Sequence, residues 1–85
     1  FSLEQNFPNP FNPSTAIRFR ISAQGLTSLK VFDLLGKEVA TLVQQEMSGG
    51  AYTIVYDASQ LPSGVYFYTL CSGAFTETKK LVLLK

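Results

Sequence analysis

Histidine is absent from this sequence of 85 residues, and cysteine occurs once, as Cys71. Without histidine the chain lacks the commonest general base and the commonest metal ligand, which excludes Ser-His-Asp and Cys-His nucleophilic arrangements within it. A single cysteine provides neither an internal disulfide nor a cysteine-based metal site. The sequence therefore predicts no catalytic site, no metal and no cofactor, and we expect Cys71 to act as a small apolar side chain.

Charged side chains are also scarce. Lys and Arg total 7, Asp and Glu total 6, and the net charge is +1. The basic residues form only local pairs, so the stripe that nucleic acid requires is missing. No apolar run is long enough to cross a bilayer as a helix. The scattered acids do not mark a pair of catalytic carboxylates, which predicts a protein that is not an enzyme.

Apolar residues are plentiful instead, at 46% of the chain, with 13% aromatic. They are mainly the β-branched and aromatic types that suit pleated, half-buried surfaces. The length predicts a single domain over residues 1–85 with a modest core.

Turn signals divide the chain at fairly even intervals, and no stretch has a sustained helical period with caps. This spacing predicts an all-β fold, an immunoglobulin-like antiparallel sandwich of about seven strands. The predicted strands cover residues 2–7, 15–21, 27–33, 37–45, 51–56, 65–71 and 75–84.

Alternation within the strands predicts which side chains face the core. Ile17, Phe19 and Ile21 face one side of the second strand, and the arginines between them face the other. In the fourth strand the same rule groups Val39, Thr41 and Val43, and in the fifth strand Tyr52, Ile54 and Tyr56. Residues 65–71 are nearly all apolar, which predicts a central strand covered on both faces.

The connections fit antiparallel pairing. Residues 33–36 indicate a type I turn that ends with Gly36 in the left-handed region, and Ser72-Gly73 indicates a two-residue hairpin. Residues 57–61 indicate a single helical turn, capped by Asp57, that crosses between sheets. Tyr66 follows this crossing and is either a tyrosine corner or an ordinary half-buried tyrosine.

Two segments exceed what packing needs. Three prolines lie within the run from Asn6 to Thr15, which either hides a sheet edge as a stiff segment or takes part in recognition. Residues 79–85 combine lysines with an apolar stretch. They either complete the core or offer a strand edge to a partner, with lysines as gatekeepers.

Four segments, in order, resemble the type A C-terminal sorting domain of the type IX secretion system of Bacteroidetes. They are Phe7-Pro8-Asn9-Pro10-Phe11-Asn12-Pro13-Ser14-Thr15, Leu29-Lys30-Val31-Phe32-Asp33-Leu34-Leu35-Gly36-Lys37-Glu38-Val39, Leu61-Pro62-Ser63-Gly64-Val65-Tyr66-Phe67-Tyr68 and Lys79-Lys80-Leu81-Val82. The resemblance implies a folded signal on a larger exported passenger. Its implied partners are an outer-membrane translocon, a shuttle barrel and a sortase-like peptidase. Its implied location is the periplasm in transit, then the cell surface or the extracellular space.

The resemblance also implies roles for particular residues. Pro8, Asn9, Pro10, Lys79, Lys80, Leu81 and Val82 would be recognised, and we expect Leu83 and Leu84 to complete that surface. Asp33, Gly36, Gly64 and Tyr66 would shape the fold, as we also expect of Asp57 and Leu61 at the crossing.

Two alternatives to a sorting signal remain open from the sequence. One is an immunoglobulin-like spacer in an extracellular multidomain protein, which needs no signal strand. The other is a carbohydrate-binding module, which requires exposed, coplanar aromatic rings. The exposure of Tyr52, Tyr56, Tyr66 and Tyr68 distinguishes this module from the other two.

Overall fold

The seven strands of the computed structural model, which describes residues 1–85, form two antiparallel sheets packed as a sandwich. The strands are β1 (Ser2–Leu3), β2 (Ser14–Ile21), β3 (Gly25–Phe32), β4 (Glu38–Met47), β5 (Gly50–Asp57), β6 (Gly64–Ser72) and β7 (Phe75–Leu83). One sheet has the order β1-β2-β5, and the other has the order β4-β3-β6-β7. The predicted all-β sandwich is confirmed. The chain contains no helix that could span a membrane.

The core lies between the sheets and follows the predicted alternation in β2. Ile17, Phe19 and Ile21 are almost completely buried, while Arg18 and Arg20 are exposed. The facing sheet contributes the other large side chains without solvent contact: Leu29, Val31, Tyr68, Leu70, Leu81 and Leu83. Burying each such side chain contributes about 1.5–3 kcal/mol, so the central residues of β2, β3, β6 and β7 hold the sheets together.

The face predicted for β4 is wrong at Thr41, because the strand is irregular. Its ladder with β3 shifts register between Leu29 and Lys30, where Leu42 is the extra residue. An extra residue reverses the alternation beyond it. Val43 therefore pairs with the buried Leu29, whereas Thr41 pairs with Lys30 on the outer face.

Two other predicted strands differ in extent or burial. The first strand ends at Leu3, and beyond it the chain bonds β2 through the Glu4 amide and at an isolated bridge between Phe7 and Ala16. β6 is central in its sheet, but only its even-numbered side chains are buried. No layer covers the outer face, so Val65 and Phe67 stay partly exposed.

The connections agree with the predicted turns, with two corrections. The hairpin after β6 has Gly73 and Ala74 as its loop residues, one position later than predicted, since Ser72 pairs with Phe75. Gly73 has a φ of 59°, which glycine adopts without steric cost. The crossing from β5 to β6 is not a helical turn but a β-turn over residues 58–61. The hydrogen bond that closes it runs from the Leu61 amide to Ala58 O, at 3.0 Å.

Candidate recognition surface

The proline-rich segment, residues 6–13, is anchored by a buried polar network. The Asn6 amide donates to the Tyr68 hydroxyl at 2.8 Å, and that hydroxyl donates to Glu4 O at 2.7 Å. The Asn6 side-chain nitrogen donates to Thr15 Oγ1 at 3.0 Å and to Pro8 O at 3.2 Å. Thr15 Oγ1 donates in turn to Pro8 O at 2.8 Å. Pro8 and four hydrogen bonds that involve side chains therefore fix the segment's first half, residues 6–9.

The proline-rich segment crosses from one sheet to the other. At its start, the Phe7 amide donates to Ala16 O at 3.0 Å and Phe7 O accepts from the Ala16 amide at 2.9 Å. Near its end, the Phe11 amide donates to Val82 O at 3.0 Å and Phe11 O accepts from the Leu84 amide at 2.9 Å. The Phe11 ring is buried in the core. The segment thus bonds β2 on one side of the sandwich and β7 on the other.

The outer edge of β7 is closed by the N-terminal part of the chain. Asn9 Oδ1 accepts from the Val82 amide at 2.9 Å, and Gln5 Nε2 donates to Lys80 O at 2.6 Å. Further along, the Phe1 and Phe75 rings stack with centroids 5.3 Å apart. The outward backbone groups of Val82 therefore already have partners, and any new strand at that position must first displace Asn9 and Phe11.

The residues predicted in β7 fall on opposite faces. Leu81 and Leu83 are fully buried in the core, whereas Lys80 and Leu84 are exposed and Val82 is partly exposed. Since side chains alternate along a strand, these last three share the outer face of the four-stranded sheet.

The two lysines of the motif also differ. Lys79 Nζ lies 3.1 Å from Glu77 Oε2 in an ion pair, whereas neither ion pair of the chain includes Lys80. Lys79 and Lys80 point to opposite faces because they are adjacent in the strand. Pro8, Asn9 and Pro10 are all exposed, and of these three Asn9 contacts β7 directly, through its bond to the Val82 amide.

The predicted shaping residues form local turns. Asp33 Oδ1 accepts from the amides of Leu35 and Lys37, both at 2.9 Å, and Gly36, with a φ of 84°, donates to Asp33 O at 3.0 Å. The carboxylate thus satisfies amides that the tight turn would leave open, as an Asx turn does. The same turn leaves Leu35 94% exposed.

The crossing between the sheets has a similar cap. Asp57 Oδ1 accepts from the Ser59 amide at 2.9 Å, and Leu61 packs partly buried against the core. The Tyr66 hydroxyl donates to Pro62 O at 2.7 Å, four residues upstream. This bond identifies Tyr66 as a tyrosine corner. Gly64, at the start of β6, pairs with Leu83 of β7.

All four tyrosines are buried or half-buried, so they do not form an exposed stacking platform. Burial raises the pKa of Tyr68 to about 12, although the hydrogen bond from Asn6 opposes the shift. Burial likewise raises the pKa of Tyr56. The hydrogen bond from Thr41 lowers the pKa of Glu38, and Lys30 adds to that effect.

The surface offers no pocket for a small molecule, and no three acidic or cysteine side chains cluster as metal ligands would. Cys71 is partly buried, with Thr76 Oγ1 at 3.7 Å from its sulfur.

The arrangement that stands out is the proline-rich segment bonded to β7. Sequence reasoning named both segments but missed Asn6, Thr15 and Tyr68, the polar residues that join them to the core. For Asn6 and Thr15, the only signal in the sequence was their position as polar residues on either side of the prolines.

The chain matches no curated protein. It does match the family model described as the secretion system C-terminal sorting domain, over residues 5–84. The match includes the proline-rich segment and all strands from β2 to β7, and the family is one of sorting signals rather than of catalysts. The chain therefore belongs to the C-terminal sorting domains of the type IX secretion system, the signals for export to the cell surface or the extracellular space.

Proposed function

We propose that the folded domain is read by protein components of the secretion machinery on one surface, which consists of residues 8–13 of the proline-rich segment and the outer side chains of β7. These components are an outer-membrane translocon, a shuttle barrel and a sortase-like peptidase. They act on a passenger joined upstream of the domain, first in the periplasm. The domain itself needs no cofactor and catalyses nothing.

The bridge between Phe11 and Leu83 is the observation that carries this proposal. It joins the segment and the strand, 72 positions apart, through two hydrogen bonds of 2.9 and 3.0 Å. A partner that recognises both parts therefore recognises the folded state, because the unfolded chain does not hold them together. A folded signal of this kind needs no unfolding before it is bound.

The accessible part of this surface includes Pro8, Asn9, Pro10, Lys80, Val82 and Leu84. Lys80 supplies a positive charge without an internal partner, which selects for a partner carboxylate. Leu81 and Leu83 act indirectly, by fixing the strand from the core side. Main-chain pairing with a partner strand would require release of Asn9 and Phe11, so side-chain contacts provide the recognition in the closed domain.

The test is export of a full-length secreted parent that carries this domain, measured as the passenger fraction on intact cells. We expect Lys80→Glu to reduce that fraction severalfold, and we expect deletion of residues 81–85 to abolish it. Lys37→Glu is the matched control, since Lys37 is an exposed lysine in the turn before β4. Normal export of the deletion variant contradicts the proposal. Normal export after replacement of the whole domain favours a spacer instead.

A further inference from the structure

Phe7 is a large apolar side chain that the fold holds in solvent. The residue is 79% exposed, although both of its backbone groups are bonded to Ala16 and its neighbour Asn6 is buried. An aromatic side chain on a fixed backbone loses little conformational entropy when it binds, which is a property of binding hot spots. Packing does not explain this ring, because it contributes nothing to the core.

Phe7 continues an apolar row across the outer face of the three-stranded sheet. Ala16 pairs with Phe7 on one side and with Val55 on the other, so the three side chains share that face. Val55 is 73% exposed. Two large exposed apolar side chains, Phe7 and Val55, therefore flank the small side chain of Ala16.

Charge on the same face limits the kind of partner. Arg18 and Arg20 follow Ala16 at alternate positions of β2, both are exposed, and neither takes part in an ion pair. Glu4 is bonded to Arg18 O through its backbone amide, and Asp57 follows Val55 in β5 on the side of the row away from the arginines. The arginine side of the row thus keeps an excess positive charge, to which a carboxylate is complementary.

We propose that Phe7, Val55 and Arg18 form a second docking surface, for a protein partner that offers an apolar pocket bordered by carboxylates. The proposal rests on the proposed function, since we expect the partner to belong to the export machinery. The second surface lies elsewhere on the domain. It is on the outer face of the three-stranded sheet, whereas the outer side chains of β7 are on the outer face of the four-stranded sheet, on the opposite side of the sandwich. A partner, or two partners, would then hold the domain from both sides.

The experiment measures export of the full-length parent in the secreting bacterium, with unfolding of each purified parent as the check on folding. We expect Phe7→Ala and Val55→Asp each to lower the exported fraction about tenfold, a typical hot-spot effect, with no change in the unfolding midpoint of the domain. Arg18→Glu should cause a smaller loss, and Phe7→Tyr should retain export. Leu35→Ala is the matched control, because Leu35 is equally apolar, even more exposed and located in the turn before β4.

The outcomes separate this inference from the proposed function. Loss of export with Lys80→Glu but normal export with Phe7→Ala and Val55→Asp overturns the second surface and leaves the first intact. A lower unfolding midpoint in both variants also overturns it, since these side chains would then act on folding. Equal loss with Leu35→Ala overturns it as well, because the effect would not depend on this face.

Discussion

Alternate residues of β7 face two different environments. Leu81 and Leu83 are fully buried between the sheets, while Lys80 and Leu84 are exposed on the outer face. A stretch that looks like one apolar motif is thus divided by the period of the strand into a structural half and a surface half. Loss of export after a change in this motif therefore has two possible causes, unfolding and lost contact, and each residue's face decides which applies.

The largest expected effect is on the inner face. Leu81→Ala should lower the free energy of unfolding by about 2–5 kcal/mol, because it removes buried methyl groups and leaves a cavity. This is a large share of the roughly 5–15 kcal/mol that stabilises a typical domain. Urea unfolding of the purified protein measures the loss.

The outer-face control for Leu81→Ala is Val82→Ala, one residue along the same strand. Its side chain is partly exposed and borders the half-buried Val65 across the ladder, so its loss should be clearly smaller. Equal losses for the two variants would show that the core and surface halves of β7 do not differ as described.

The next effect concerns Tyr68, which pairs with Lys79 across the ladder and faces the core. Tyr68→Phe removes the hydroxyl that bonds Asn6 N and Glu4 O, and should cost about 1–3 kcal/mol because both groups are left without partners. Tyr52→Phe is the control. Its hydroxyl donates to Ser48 O at an exposed site, where water can replace the bond.

The pKa of Tyr68 adds a pH dependence to this prediction. Its folded value of about 12 exceeds the unfolded value of about 10, so the folded state binds this proton more tightly. The resulting stability is fully present below pH 10 and is lost as the pH rises through about 12. The stability difference between the natural protein and Tyr68→Phe should therefore shrink over that range. A constant difference would mean that burial of the hydroxyl does not oppose its ionisation.

A smaller effect is expected at the edge of β7, between its two faces. Asn9→Ala removes the acceptor of the Val82 amide and should cost about 0.5–1.5 kcal/mol. Hydrogen exchange at that amide should become faster, while the Leu84 amide, held by Phe11 O, keeps its protection. Faster exchange at both positions would mean that Asn9 holds the whole segment, rather than one amide.

Local patterns were enough to predict most strands and turns, because alternation and turn chemistry are properties of neighbouring residues. Asp33 and Gly36 form the predicted turn for this reason. The shift at Leu42 was not predictable, since an extra residue is defined only by the partner strand. The link between Asn6 and Tyr68 joins residues 62 positions apart, so no local pattern could indicate it. The proline-rich segment was recognised as unusual, but its closure of β7 required the fold.

The smallest effect on stability, and the sharpest test of the comparison, is expected at Lys80. Its side chain is exposed and has no ion pair, so Lys80→Glu should change the free energy of unfolding by no more than about 0.5 kcal/mol. Export should nevertheless fall severalfold, because the reversed charge repels the carboxylate expected on a partner. Lys79→Glu, one position earlier, instead places a like charge beside Glu77 on the other face and should act through stability. Suppose instead that Lys79→Glu blocks export without destabilising the domain, and that Lys80→Glu leaves export normal. The recognised face of β7 is then the inner one, and the division proposed for this strand is reversed.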